Sequence, residues 1–230
     1  MFFLDPTYLM YMIPAFILMA LTSWYVKAAY NKWSRVASRS RLSGADATRR
    51  LISTSGLYGV KIQGTHGELT DHYDPRNKTV FLSNGVANSP SVAALAIAAH
   101  ELGHAQQDAE DYFPMRLRGF MVPMVNIGSN LGWILILIGL FLNMTGLAWI
   151  GVLVFSGGAL FALATLPVEF DASARAKRML ADSGIIQSDE EMRGVSNVLN
   201  AAALTYVAGL VTAILQLLYY VSLVSGRSRD

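Results

Sequence analysis

Charged residues disappear from this chain in long stretches, and the blanks set its organisation. Pro6 to Val26 is 21 residues without a charge, Gly119 to Val168 is 50, and the run between Arg193 and Arg227 encloses an apolar segment from Asn200 to Val224. A helix needs about 20 apolar residues to cross a bilayer, so the first and last stretches each predict one crossing. Fifty residues exceed any single crossing, and Asn143-Met144-Thr145-Gly146 interrupts them, so the middle stretch predicts a hairpin of two helices, about Val122 to Leu142 and Leu147 to Leu166. Glycines throughout that hairpin allow close helix packing. The first crossing reads as retained rather than cleaved, because its basic residues, Lys27, Lys32 and Arg35, follow the apolar run where a signal peptide has them in front.

Polar chain lies between the crossings, and its patterning changes character. Ser43-Gly44-Ala45-Asp46 resembles a capping box and Gly56 a helix stop, which predicts a short helix between them. Tyr58 to Gln63 and Lys78 to Ser83 alternate and carry β-branched residues, with turn chemistry at Asp74-Pro75-Arg76-Asn77, so a small sheet or hairpin is expected. Then comes VAALAIAA, preceded by the cap candidates Asn88 and Ser89 and by Pro90, opening a helix from Ser91 to Asp111 that is too short in its apolar part to span. The expected division is 1–26 first membrane helix, 27–119 first polar segment with the hairpin and the helix from Ser91, 120–167 membrane hairpin, 168–199 second polar segment, and 200–230 last membrane helix and tail. The fold class is therefore a mainly α membrane protein of about four transmembrane helices carrying a small α+β unit.

Composition reinforces this picture. With 53% hydrophobic residues, 15% charged and a mean hydropathy of +0.38, the chain departs from ordinary soluble enzymes. A net charge of +2 carries no nucleic-acid footprint, but its placement orients the chain. Twelve of the eighteen basic residues lie between Lys27 and Arg118 and four between Arg175 and Arg193, which by the positive-inside rule makes both polar segments cytoplasmic; Arg227 and Arg229 in the tail run against it. The expected location is a cell membrane, multi-pass, with lipid as the surrounding partner.

The chemistry sits in His100-Glu101-Leu102-Gly103-His104. Histidines four apart share one helix face, and H-E-x-x-H is a zinc arrangement in which the glutamate is the general base. With no cysteine in the chain, any zinc site must be completed by histidine or carboxylate. Glu169 re-emerges after two crossings on the same side as the motif and is the leading third ligand; Asp171 and His72 are the alternatives. On a helix Asp171 points about 200° from Glu169, and an ion pair with Arg175 is its other reading. His72, on a strand leading into the motif helix, and Tyr206, in the last membrane helix, are candidate helpers for an oxyanion. Asn197, Asn200 and Gln216 read as hydrogen-bonding groups between helices.

The segments LTDHYDPRNKTVFLS, AAHELGHAQQ, PVEFDASARA and NVLNAAALTYVA together resemble the bacterial membrane family of neutral zinc metallopeptidases, over Leu4 to Tyr220. More distantly the chain is similar to gluzincin membrane proteases such as the heat-shock membrane protease and the prenyl-protein endopeptidase. The resemblance implies a gluzincin-like catalytic unit, with His100, His104 and Glu169 as zinc ligands and Glu101 as base. One departure is visible: the distant relatives carry an aspartate four residues after the ligand glutamate, where Ser173 stands here. The expected activity is zinc-dependent endopeptidase action on membrane or misfolded proteins at the cytoplasmic face. The other classes compatible with the residues are a non-proteolytic zinc hydrolase of a lipid or small amide, and a metal-stabilised membrane scaffold.

Overall fold

The computed structural model describes residues 5–227, so Arg229 and Leu4 lie outside the described residues. In chain order the elements are α1 (Pro6–Trp33), α2 (Gly44–Thr54), β1 (Lys61–Thr65), β2 (His72–Asp74), β3 (Thr79–Ser83), α3 (Asn84–Ala87), α4 (Val92–Ala109), α5 (Phe113–Phe141), α6 (Thr145–Phe155), α7 (Gly157–Asp182) and α8 (Asp189–Arg227). Among the described residues, four helical stretches are long and apolar enough to cross a membrane: α1, α5, α6 together with α7, and α8. The chain folds into two compact units. One comprises the chain up to Ser23, Arg116–Leu166 and the chain from Thr205; the other comprises Trp24–Met115 and Pro167–Leu204.

The first unit packs α5 against α6 through small residues. A side chain at Gly132 would stand 2.7 Å from the Phe155 nitrogen and one at Gly151 2.6 Å from the Ile136 nitrogen, so only glycine allows this backbone approach. Ile136, Leu140, Ala148, Val152, Tyr219 and Tyr220 are buried together here. Asn143, at φ 53°, turns the chain between the two helices, where the sequence placed the break.

The second unit has α4 at its centre. Its alanine-rich face is buried from Val92 to Ala105 against Leu51, Val80, Leu82, Leu180 and Val195. The helix begins one residue later than the sequence suggested: Ser91, rather than Asn88 or Ser89, is the cap, its Oγ accepting from the Ala94 N–H at 3.2 Å. Pro90 stays outside the helix because its carbonyl accepts from Ser38 N at 2.8 Å, and Val92 N donates to Val36 O at 2.9 Å. These bonds lace the chain after α1 to the start of α4.

The expected capping box opens α2, with Ser43 Oγ accepting from Asp46 N at 3.2 Å, and Gly56 follows it at φ 69°. The sheet has three strands in the order β1-β3-β2. β2 and β3 form the antiparallel hairpin, with Asp74 opposite Thr79 and Arg76 N donating to the Asp74 carboxylate at 2.9 Å in the turn. β1 starts at Lys61 rather than Tyr58 and runs parallel to β3, a pairing that local patterning does not encode.

The second helix of the hairpin, expected to end at about Leu166, runs on: Pro167 lies inside α7, which extends to Asp182. A proline removes one helical hydrogen bond, but Val168, Ala172, Ala176 and Leu180 are fully buried beyond it, and that burial offsets the loss. Glu169 is thereby carried on a helix rather than on a loop.

Candidate metal centre

His100 and His104 stand one turn apart on α4, their rings edge to face with centroids 4.8 Å apart. Glu169 on α7 reaches between them: its Oε2 is 3.3 Å from His100 Nε2 and 3.6 Å from His104 Nε2. One donor atom from each residue lies within 4.8 Å of the others, and Glu169 is 2% exposed. What permits this is Gly103. A Cβ at that position would sit 2.5 Å from the Ala172 carbonyl oxygen, so the glycine lets the backbones of α4 and α7 touch between the two histidines and the glutamate.

The imidazoles are held from behind. Gln107, fully buried on α4, donates Nε2 to the Val168 carbonyl at 2.8 Å and to Asp171 Oδ2 at 2.9 Å. Two acceptors on the amide nitrogen leave no choice of orientation, so Oε1 faces His104 Nδ1 at 3.0 Å and accepts its proton. His104 therefore carries hydrogen on Nδ1 and turns Nε2 to Glu169. Ser173 Oγ lies 3.3 Å from His100 Nδ1, so a hydroxyl serves where the distant relatives place an aspartate. Asp171 is occupied elsewhere: besides Gln107 it pairs with Arg175 Nε at 2.5 Å, and Arg175 Nη1 bonds Glu110 at 2.6 Å. The i,i+4 pair expected for Asp171 is present, and the residue lies outside the three-donor cluster.

Glu101, 8% exposed, lies on α4 beside His100 and also outside that cluster. Its carboxylate adds to the field on His104. Burial opposes charge on this imidazole, but the hydrogen bond it donates to Glu169 and the charges of Glu101 and Glu169 outweigh it and raise its pKa above the ordinary histidine value. His72 is exposed on β2, its ring stacked on Phe81 at 4.7 Å and its Nδ1 2.8 Å from the Thr70 carbonyl. Tyr206 lies on α8 in the other compact unit. Asn197 joins α8 to α1, accepting from Trp33 Nε1 at 3.0 Å and donating to the Tyr25 hydroxyl at 2.7 Å.

Two imidazole nitrogens and one carboxylate oxygen are a zinc donor set. Bonds of about 2.0–2.1 Å in a tetrahedron put neighbouring donors roughly 3.4 Å apart; the two edges to Glu169 are 3.3 and 3.6 Å, and the three donors lie within 4.8 Å of one another. With three protein donors among the described residues, a bound zinc would have a fourth position for water or substrate, as in catalytic rather than structural sites. The model of a family described as putative neutral zinc metallopeptidase matches residues 8–225. The chain belongs to this family. It is also similar to the putative membrane protease YugP of Bacillus subtilis (strain 168), at 41% identity over 206 residues that cover 89% of this chain and 91% of the relative. No solved structure matches the chain.

Gln107, Gly103 and Glu110 escaped the sequence reading. Gln107 has a sequence signal, since it falls three residues after His104 on the same helix face. The other two acquire meaning only from α7.

Proposed function

We propose that this protein is an integral membrane zinc endopeptidase with its active site at the cytoplasmic face. The observation that carries the reading is the cluster of His100, His104 and Glu169 with a second carboxylate, Glu101, beside it but outside it. A structural site has no use for that extra carboxylate. The likeness to the Bacillus subtilis putative membrane protease supports the same reading, and the excess of basic residues in 27–118 supports the cytoplasmic side.

His100, His104 and Glu169 would hold the ion. Zinc, when bound there, supplies Lewis-acid activation of a water and of the scissile carbonyl. Glu101 takes the proton of the attacking water as the new carbon–oxygen bond forms, and delivers it to the amine nitrogen as the carbon–nitrogen bond breaks. Gln107 and Ser173 engage the Nδ1 atoms of His104 and His100, which leaves each Nε2 facing Glu169, where it would be free to ligate an ion. His72 and Tyr206 are the candidates for stabilising charge on the carbonyl oxygen. Peptide bonds in membrane or misfolded proteins are the substrates this placement favours.

The test compares zinc-loaded wild type with Glu101→Gln in lipid, against unfolded and membrane-protein substrates, by mass spectrometry. The variant is expected to bind zinc as wild type does and to lose about 10²–10⁴-fold in cleavage rate. Full activity in Glu101→Gln overturns the mechanism. Cleavage of lipid or small amides with every peptide left intact moves the function to a non-proteolytic hydrolase.

A further inference from the structure

The α5–α6 contact uses one face of α5, through Gly128, Gly132 and Gly139, whose would-be side chains meet Val154, Phe155 and Ala148. Asn126 and Asn130 stand on another face and are exposed. On a helix Asn130 points about 200° from Gly132, so the asparagines look away from the hairpin partner. Depth makes this costly. The last charge before them is Arg118, and at 1.5 Å per residue Asn126 lies about 12 Å and Asn130 about 18 Å further along the helix, on either side of the middle of a hydrocarbon layer about 30 Å thick.

Several hydroxyl side chains of the crossings are satisfied within their own helices. Thr22 Oγ1 bonds Leu18 O, Ser156 Oγ bonds Leu153 O and Thr165 Oγ1 bonds Phe161 O. A carboxamide cannot be closed off in that way, having two donors and an acceptor oxygen with two lone pairs. Asn130 gives one N–H to the Asn126 carbonyl at 2.9 Å, and the remaining capacity of both side chains faces outward into what would be lipid.

We propose that this face of α5 is a self-association surface, with the occupant a second copy of the same helix. A partner must offer donors and acceptors at the depth of residues 126 and 130 and be apolar around them. Every copy of the chain inserts in the same direction, so a second α5 related by a two-fold axis along the membrane normal presents the identical pair at the identical depth. The carboxamide is self-complementary, and exposed Ile127, Leu131, Trp133 and Ile134 supply the surrounding apolar surface. The inference is independent of the peptidase reading, since it uses no residue of the metal centre.

The chain has no cysteine, so single cysteines can be placed cleanly along α5 of the full protein in vesicles. With both asparagines retained, oxidation is expected to cross-link copies through Pro123→Cys, Ile127→Cys or Ile134→Cys, but not through Gly128→Cys or Ser129→Cys. Adding Asn126→Leu with Asn130→Leu to Ile127→Cys is expected to cut the cross-linked fraction and to raise the dissociation constant, read by energy transfer between labelled copies on lipid dilution, about tenfold. Zinc binding unchanged from wild type shows that the double variant is folded. No self-cross-link at any position, cross-links only to other proteins, or association unaffected by the double leucine variant each overturns the proposal.

Discussion

Gly103→Ala is the most discriminating perturbation of the centre, because the structure sets its size. The added carbon would lie 2.5 Å from the Ala172 carbonyl oxygen, and ordinary contact begins at 3.4 Å, so α4 and α7 must separate by about 0.9 Å. No flexible side chain can yield instead, since the three nearest atoms are all backbone of Ala172. Ala172 is less than one helical turn beyond Glu169, and Gly103 lies between His100 and His104, so the separation falls directly on the donor set. Zinc sites tolerate distance errors of about 0.2 Å, several times less than the displacement required. The variant is expected to lose zinc affinity by at least tenfold and, metal-free, to lose about 1–3 kcal/mol of stability through overpacking. Chelator competition in detergent measures the first, and denaturation of the metal-free protein measures the second. Gly59→Ala, where nothing lies within 4 Å, is the control and is expected to leave both unchanged. Wild-type zinc affinity in Gly103→Ala would refute the argument that the α4–α7 backbone contact places Glu169.

Gln107→Leu strands the buried His104 Nδ1–H and Val168 carbonyl; about 10–100-fold weaker zinc binding is expected, with partial recovery in Gln107→Glu, and wild-type affinity in the leucine variant would show that the imidazole is held otherwise. Because Glu169 and Glu101 keep His104 protonated to higher pH than an ordinary histidine, zinc must displace that proton; affinity is expected to fall as pH drops from 8 to 6 with proton release in calorimetry, and pH-independent affinity would contradict it. Asp71 lies at the start of the β2–β3 hairpin, accepting from Ser83 N and Oγ, yet burial pushes its carboxyl above the ordinary value. A raised folded-state value means stability is greatest below the unfolded pKa of about 3.9 and is lost as pH rises through the folded value. Asp71→Asn is therefore expected to flatten that loss when the two stability–pH curves are compared, and parallel curves would count against it.

Helix α8 illustrates how much of the architecture was legible. Its apolar interior is visible as an uncharged run, yet its first turns are polar chain held by a capping box, with Glu191 N donating to Ser188 Oγ at 3.3 Å and Glu191 Oε1 accepting from Arg39 N at 2.7 Å. The first of those bonds is local and readable; the second joins residues 152 positions apart. The same divide runs through the centre. His100 and His104 are paired by helical periodicity alone, and so is Asp171 with Arg175. The choice between Glu169 and Asp171 was open in the sequence, because both carboxylates lie within three residues on one helix. In the structure Gln107 and Arg175 engage Asp171, while the close approach at Gly103 leaves Glu169 facing the histidines.

By itself, then, the sequence determined the membrane crossings, the motif helix and the β2–β3 turn, because hydrophobic runs, helical spacing and turn chemistry act over a few residues. Only the tertiary structure decided that Pro167 stays inside α7, that β1 lies parallel to β3, and that Gln107 holds His104. Each of these depends on groups far apart in the chain, whose contact is set by how helices bury their faces against one another rather than by any local preference.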